Sequence, residues 1–77
     1  MDKKHKESYL QLKANISFYR RKRGLSQEQL AEQAGISRTH ISNVEAPNGK
    51  SAPSVDVLFS IADALDIPIV KLFDFRD

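Results

Sequence analysis

The stretch SQEQLAEQAGISRTHISNVE, residues 26–45, decides the fold that this sequence predicts. Ser26 is suited to cap a helix, and a glutamine stands three positions later, where it completes a capping box. Gly35 can take the left-handed backbone conformation that ends a helix, and Ser37 is a ready cap for the next one. We therefore expect two short helices joined by a tight turn, the second over residues 38–45, which is the helix-turn-helix arrangement.

Apolar residues at three- and four-residue spacing predict further helices on both sides of this pair. One covers residues 7–23, and another begins after Ser54 and ends at Asp66. Pro68 suits the first turn of a short fifth helix through Phe73. The residues expected to face inward are Tyr9, Leu12, Ile16, Tyr19, Leu30, Ala31, Ala34, Ile36, Ile41, Val44, Val55, Leu58, Ile61, Ala62, Leu65 and Ile67. No alternating apolar and polar run indicates a strand, so the sequence predicts a compact all-α domain of five helices.

Length and composition limit the classes of protein that remain. A chain of 77 residues is one domain at most, with a small core and little room for an effector domain or a deep catalytic cleft. We expect residues 1–6 to be a basic, mobile arm and residues 7–77 to be the domain, with its motif at residues 26–45. The absence of cysteine excludes disulfides and thiolate metal sites. Neither a signal peptide nor a run approaching about 18 apolar residues is present, so a soluble cytoplasmic protein is expected.

Charge is distributed unevenly along the chain. Residues 1–53 hold ten Lys or Arg and five Asp or Glu, a net charge of +5, whereas residues 54–77 hold two and five, a net charge of −3. A basic region beside an acidic tail suits a polyanionic partner on one face. Solvated surface charge that binds nothing is an equally good interpretation of the charge alone.

The third predicted helix has one apolar and one polar side. At about 100° per residue, Ile41 and Val44 lie about 60° apart and define the buried side. The opposite, polar side carries Thr39, Ser42 and Asn43, and Arg38 lies to one side at the N-terminal end, where its length lets it reach forward. A solvated helix face has the same composition, so the helix-turn-helix frame is what favours a binding function here. In such a frame the second helix fits the major groove of DNA.

Three residues of this helix are candidates for reading base edges. Arg38 can bind guanine N7 and O6 bidentately, and Asn43 can do the same at adenine N7 and N6. The Thr39 methyl group can contact a thymine methyl group. Each good bidentate contact contributes about 1 to 3 kcal/mol of discrimination between bases.

Other polar residues are placed to contact the sugar-phosphate backbone. Gln27 opens the second helix and Ser37 the third, where amide donors and the helix dipole favour a phosphate. Ser42 flanks the base-reading residues, and Lys50 offers one positive charge in the loop that follows. For His40, contact with phosphate and covering the edge of the core are equally good alternatives.

The central stretch resembles the core motif of the Cro/C1-type (XRE, phage-repressor-like) family of bacterial and phage DNA-binding domains. The flanking segments RRKRGLSQEQLA and PSVDVLFSIADALDIPIVKLF are similar to the family too, so the resemblance covers about residues 9–73. The motif is specific because five of its residues occur together in register: Gln27, Ala31, Gly35, Ile41 and Glu45.

The resemblance implies a compact five-helix, lambda-repressor-like domain that binds double-stranded DNA as a transcriptional repressor in a bacterial cytoplasm. The positions of Arg38, Thr39 and Asn43 are the base-contacting ones in that family. The resemblance also implies a partly buried ion pair between Arg20 and Glu45. The neighbouring basic residues, expected to be solvated or to face phosphates, are Arg21, Lys22 and Arg23.

Two positions depart from the family pattern. The chain takes eight steps from Glu45 to Pro53, more than the family commonly uses, and Gly49 comes later in this loop. Lys50 is the one basic residue of the loop, so the family's other loop contacts with DNA are not carried over, and only the backbone amides of Asn48 and Gly49 and the Lys50 charge remain as candidates. Asp66 replaces the usual glycine after the fourth helix, which Asp tolerates at some strain.

Apolar residues outside the predicted core leave two interpretations open. Phe18 shares a second face of the first helix with Leu10 and Ala14, and either the chain's own tail covers this face or a partner does. A homodimer is expected on the second interpretation, through the region where family members often pair. Its candidate contacts are Ile69, Val70, Phe73 and Phe75. A two-fold dimer would bind pseudo-palindromic half-sites about 34 Å apart.

Other function classes find little support in the sequence. It has no Gly-rich phosphate loop after a strand and no coherent acid–base set, so an enzyme is not expected. His40 is a poor metal ligand because the other histidine is His5, near the N-terminus. No cofactor, small-molecule ligand or membrane partner is expected. The alternative function is an antitoxin or a protein- or RNA-interaction module that uses the same fold.

Overall fold

The computed structural model describes residues 3–49 and 52–75, and this part of the chain contains four α-helices, two short 3-10 helices and no strand. The α-helices are α1 (Lys6–Lys22), α2 (Gln27–Ala34), α3 (Arg38–Glu45) and α4 (Val55–Leu65). The 3-10 helices are Lys3–His5 and Ile69–Phe73. The predicted all-α class is confirmed. The division into an arm of residues 1–6 and a domain of residues 7–77 stays a prediction.

The helix ends follow from local hydrogen bonds. The Gln29 N–H donates to Ser26 Oγ at 3.0 Å and the Ser26 N–H donates to Gln29 Oε1 at 2.8 Å, so the predicted capping box is formed. Ser37 and Ser54 accept hydrogen bonds in the same way at the starts of α3 and α4. Gly35 ends α2 with φ 73°, a conformation in which a side chain would be strained. These caps fix the turn between α2 and α3.

The core lies where all four α-helices meet. α1 packs against α3, α4 and the C-terminal 3-10 helix, whereas α2 packs against α3 and α4. The buried apolar residues are Leu12, Ile16, Leu30, Ala31, Ile41, Val44, Leu58, Ile61, Ala62, Leu65 and Leu72. Because α3 is held from behind by α1 and α2, its opposite side remains open to solvent.

The prediction of a fifth α-helix is wrong. Ile69–Phe73 forms a 3-10 helix, with the Lys71 N–H donating to the Pro68 carbonyl at 3.0 Å. A segment of five residues forms too few i to i+4 hydrogen bonds to offset the cost of starting an α-helix. The β-branched Ile69 and Val70 lower its helix propensity further. The segment is held by tertiary contacts, since Leu72 is fully buried in the core.

Asn15 of α1 ties this C-terminal segment to the domain. Its Nδ2 donates to the Leu72 carbonyl and to the Asp74 carbonyl, both at 3.0 Å. The side-chain amide therefore supplies two hydrogen bonds to a short segment that offers few of its own.

Among the described residues, no helix is both long and apolar enough to cross a bilayer.

We expect Asn15→Ala to lower the free energy of unfolding by about 1–2 kcal/mol, because two partly buried carbonyls lose their donor. Urea denaturation monitored by circular dichroism measures this loss. Gln33→Ala, at an exposed amide on α2, is the control and should change stability by less than about 0.5 kcal/mol. Equal effects of the two substitutions would contradict the role given to Asn15.

Candidate nucleic-acid interface

The outward side of α3 presents the three residues expected to read bases. Arg38, Thr39 and Asn43 are exposed, whereas Ile41 and Val44 on the opposite side are buried in the core. The helix is eight residues long and begins at the Ser37 cap, so Arg38 and Thr39 stand in its first turn. These polar side chains project from a short helix whose opposite side packs on the core. A helix that enters the major groove of DNA needs this arrangement.

The residues expected to contact the DNA backbone surround this side. Ser37 Oγ accepts from the His40 N–H at 3.0 Å, and the hydroxyl hydrogen can still donate to a phosphate. His40 and Ser42 are exposed. Lys50 lies outside the described residues. The contacts expected of all these residues stay predictions.

A groove of about 380 Å³ runs beside the candidate base-reading residues. It lies between the start of α3 and the segment that leads into α4. Its polar lining residues are Ser37, Thr39, His40, Asn43 and Ser54. The capping residues of α3 and α4, Ser37 and Ser54, therefore line the same groove. The sugar-phosphate backbone of a nucleic acid could lie along it.

A buried polar network holds the C-terminal end of α3 against α1 and α2. Arg20 Nε donates to Glu45 Oε2 at 2.7 Å and Arg20 Nη2 donates to Glu45 Oε1 at 3.0 Å. Arg20 Nη1 also donates to the Leu25 carbonyl at 2.7 Å, and both charged residues are only 8% exposed. The expected Arg20–Glu45 ion pair is therefore confirmed, and its geometry is bidentate. Gln27 Nε2 joins the network by donating to Glu45 Oε1 at 3.3 Å.

Lys13 is an additional anchor that the sequence reasoning missed. It is 1% exposed, and its Nζ donates to the Asn43 and Val44 carbonyls, each at 3.1 Å. Burial lowers the pKa of the Lys13 ammonium, because a charge is costly away from water. A spacing signal was available: Lys13 lies seven residues before Arg20, which places both cations on one side of α1.

A family model described as Helix-turn-helix, of the XRE/Cro-C1 type, matches residues 16–72. The chain belongs to this helix-turn-helix family. The match includes α2, α3 and both partners of the buried ion pair. The resemblance indicated by the motif at residues 26–45 is thereby confirmed.

Relatives of this helix-turn-helix domain include regulators from several bacteria. It is 34% identical over 59 residues to the HTH-type transcriptional regulator SinR of Bacillus subtilis (strain 168), covering 77% of this chain and 52% of SinR. It is 39% identical over 61 residues to the control protein C.SmaI of Serratia marcescens, covering 79% of this chain and 70% of C.SmaI. The chain spans about half the length of the SinR proteins that it matches.

A solved structure shares the fold. The restriction-modification controller protein C.AhdI from Aeromonas hydrophila matches with a TM-score of 0.80 and 31% sequence identity. The match covers 87% of this chain and 98% of that chain. The arrangement of the helix-turn-helix and its supporting helices is therefore common to both.

The loop that follows α3 packs closely against the helix. Pro47 and Asn48 form a turn closed by the Gly49 N–H, which donates to the Ala46 carbonyl at 3.0 Å. A Cβ atom on Gly49 would lie 2.6 Å from the Asn43 carbonyl oxygen and 3.1 Å from the Ala46 carbonyl oxygen. The glycine is therefore required by close approach of the loop to the backbone of α3.

Gly49→Ala should lower the free energy of unfolding by about 1–3 kcal/mol, because the added methyl group meets backbone atoms that cannot rotate away. Thermal unfolding of the purified domain measures the effect. Ala52→Gly, at an exposed position in the same loop, is the control for loop sequence changes and should cost less than about 1 kcal/mol. A wild-type melting temperature for Gly49→Ala would show that the loop moves freely.

The basic residues at the end of α1 are all exposed, as expected, and two of them also contact neighbouring groups of the domain. Arg23 Nη1 donates to the Leu65 carbonyl at 3.2 Å and lies 3.7 Å from Asp66 Oδ2, so it caps the end of α4. Lys22 lies over the Phe18 ring, with Nζ 6.0 Å from its centroid. Arg21 is exposed.

The aromatic residues outside the core remain accessible. Phe18 is 56% exposed, so the described part of the chain does not cover it. Phe73 and Phe75 are also exposed, with ring centroids 6.4 Å apart.

Asp66 takes φ 57°, the left-handed conformation expected for the residue that replaces glycine there. Among the described residues, no group of three His, Cys, Asp or Glu side chains could hold a metal ion.

Proposed function

We propose that this domain is a sequence-specific, double-stranded DNA-binding transcriptional regulator that acts as a repressor. The observation that carries the proposal is the exposed row Arg38, Thr39 and Asn43 on α3, backed by the buried Ile41 and Val44. Membership of the helix-turn-helix family and the transcriptional regulators among its relatives support it.

Base recognition in this proposal comes from α3 lying in the major groove. Arg38 binds guanine through N7 and O6, Asn43 binds adenine through N7 and N6, and Thr39 contacts a thymine methyl group. The three residues occupy about one and a half turns of helix, a length that reaches successive base pairs. Loss of one such contact changes the preference at one base pair in each half-site that α3 reads and leaves the others intact.

Backbone contacts fix the position of α3 in this proposal. Ser37, His40 and Ser42 border the reading residues and can donate to phosphate oxygens. Gln27 Nε2 has two hydrogens, and one of them is used in the bond to Glu45. The second can donate to a phosphate oxygen, so the same side chain can bind Glu45 and DNA together. Lys50 adds one positive charge, and such contacts make affinity depend on salt without specifying sequence.

The operator would be pseudo-palindromic and the bound form a homodimer. Val70, Phe73 and Phe75 are exposed apolar residues at the C-terminal end, and exposed apolar patches of this kind mark sites of association. Two-fold symmetry would place two copies of α3 in successive major grooves, about 34 Å apart. The domain would act in the cytoplasm. It would repress transcription by occupying an operator within a promoter, because the bound protein keeps RNA polymerase from that promoter.

Selection from a randomised double-stranded DNA pool at moderate salt tests this proposal. We expect enrichment of one motif with two related half-sites about 10 base pairs apart, and less transcription in vitro from a promoter that carries it. Recovery of no motif, together with stoichiometric capture of a protein or an RNA by the same domain, would instead support the interaction-module alternative.

A further inference from the structure

Two carbonyl groups at the C-terminal end of α3 have no hydrogen-bond donor within the helix itself. In a continuing helix the Asn43 carbonyl would accept from the N–H of residue 47. That residue is Pro47, which has no N–H, and the backbone has already left the helix at Ala46 with ψ 124°. The Val44 carbonyl would accept from the N–H of Asn48, which lies beyond the same break. Both carbonyls therefore need donors from elsewhere in the fold.

Lys13 supplies a donor to both carbonyls. Its Nζ lies 3.1 Å from the Asn43 oxygen and 3.1 Å from the Val44 oxygen. The ammonium also sits at the negative end of the α3 dipole, where a cation is stabilising. Lys13 is 1% exposed, so these contacts are shielded from competing water.

The carbonyl that Lys13 holds belongs to a residue whose side chain is proposed to read a base. Asn43 is an exposed residue of α3, and its backbone carbonyl oxygen accepts a partly buried hydrogen bond from Lys13 Nζ. Gly49 approaches the same oxygen from the loop, since a Cβ there would lie 2.6 Å away. The backbone of Asn43 is thus fixed between α1 and the loop, and a small shift there would displace its amide from a base edge.

We propose that Lys13 is a positioning residue for base recognition: it sets the backbone of Asn43, and through it the base pair that Asn43 reads. This inference rests on the DNA-binding function proposed above. It differs from the role of Arg20, which holds the Glu45 side chain and orients α3 as a whole. Lys13 acts on the second half of α3, so its effect should be local to the base pair read there.

The test compares Lys13→Met with the matched control Lys6→Met, which removes an exposed cation from the same helix. Each variant is titrated with the selected operator and with operators altered at single base pairs. We expect Lys13→Met to lose about tenfold discrimination at the position affected by Asn43→Ala, and less than about twofold at the position affected by Arg38→Ala. Lys6→Met should leave discrimination unchanged at both.

A double-mutant cycle separates positioning from stability. If Lys13 acts through Asn43, adding Lys13→Met to Asn43→Ala should cause no further loss at that base pair. A uniform loss of affinity at all base pairs, additive with Asn43→Ala, would overturn the inference and leave the proposed function standing. Failure of the wild type to prefer any sequence would overturn the proposed function first.

A measurement on the wild type covers the case in which Lys13→Met does not fold. The nitrogen signal of the Lys13 ammonium is followed by NMR during addition of DNA. It should shift with the selected operator and not with an operator altered at the base pair read by Asn43. Equal shifts with both DNAs would contradict the link between Lys13 and base recognition.

Discussion

Replacing Arg20 with methionine is expected to lower the free energy of unfolding by about 3–5 kcal/mol. The substitution keeps much of the side-chain volume but leaves the Glu45 carboxylate buried without its two charged hydrogen bonds. It also removes the donor to the Leu25 carbonyl at the α1–α2 turn. Since a domain of this size is stable by only about 4–12 kcal/mol, the loss is a large part of the total.

Chemical denaturation of Arg20→Met and of Arg21→Met provides the measurement and its control. Arg21 is the next residue of α1 and is exposed, so its replacement should change stability by less than about 0.5 kcal/mol. The paired substitution Arg20→Met with Glu45→Met should recover part of the loss, because no unpaired charge remains buried. Similar stabilities for Arg20→Met and Arg21→Met would contradict the structural role of the pair.

The second large effect concerns DNA recognition. Arg38→Ala and Asn43→Ala should each reduce discrimination at one base pair of each half-site by about 1–3 kcal/mol, while preferences elsewhere in the operator persist. Neither side chain is buried, so neither substitution should alter the fold. Fluorescence anisotropy with operators altered one base pair at a time measures these losses.

The control for this experiment is Asp63→Asn on α4, an exposed position away from α3. It should preserve discrimination at every base pair. The salt dependence of affinity should be shallower for Arg38→Ala than for wild type only if Arg38 also neutralises a phosphate. Unchanged base preferences in both α3 variants would contradict the assignment of α3 as the reading element.

Much of the helix-turn-helix could be predicted because its determinants are local. Gly35 takes a positive φ without the strain that a Cβ atom would cause, and Ser26, Ser37 and Ser54 each cap the helix that directly follows. The alternation of buried Ile41 and Val44 with exposed residues follows from helical periodicity alone. Local chemistry of this kind needs no knowledge of what packs against it.

The long-range hydrogen bonds could not be predicted in the same way. Lys13 lies 30 residues from Asn43, and lysine is almost never buried unless it is paired, so solvent exposure was the natural expectation. Asn15 and Arg23 likewise bind carbonyls of distant segments, at the C-terminal end and at the end of α4. Their partners are backbone oxygens, which every residue carries and no sequence pattern marks.

The end of the chain was mispredicted because tertiary contacts outweigh helix propensity in short segments. Pro68 and the apolar residues after it fit an α-helical start, yet burial of Leu72 and the bonds from Asn15 hold a 3-10 helix. For the candidate interface, the sequence predicted which residues of α3 are exposed. The partners of those exposed residues lie outside the chain, so they remain proposals.

Methylation interference on the selected operator tests most directly whether α3 reads the major groove. Dimethyl sulfate marks guanine at N7 in the major groove and adenine at N3 in the minor groove. We expect guanine methylation in each half-site to block binding of the wild type, and Arg38→Ala to lose sensitivity at the one guanine in each half-site that Arg38 contacts. Interference from adenine N3 alone, or a guanine pattern that Arg38→Ala leaves unchanged, would contradict major-groove recognition by α3.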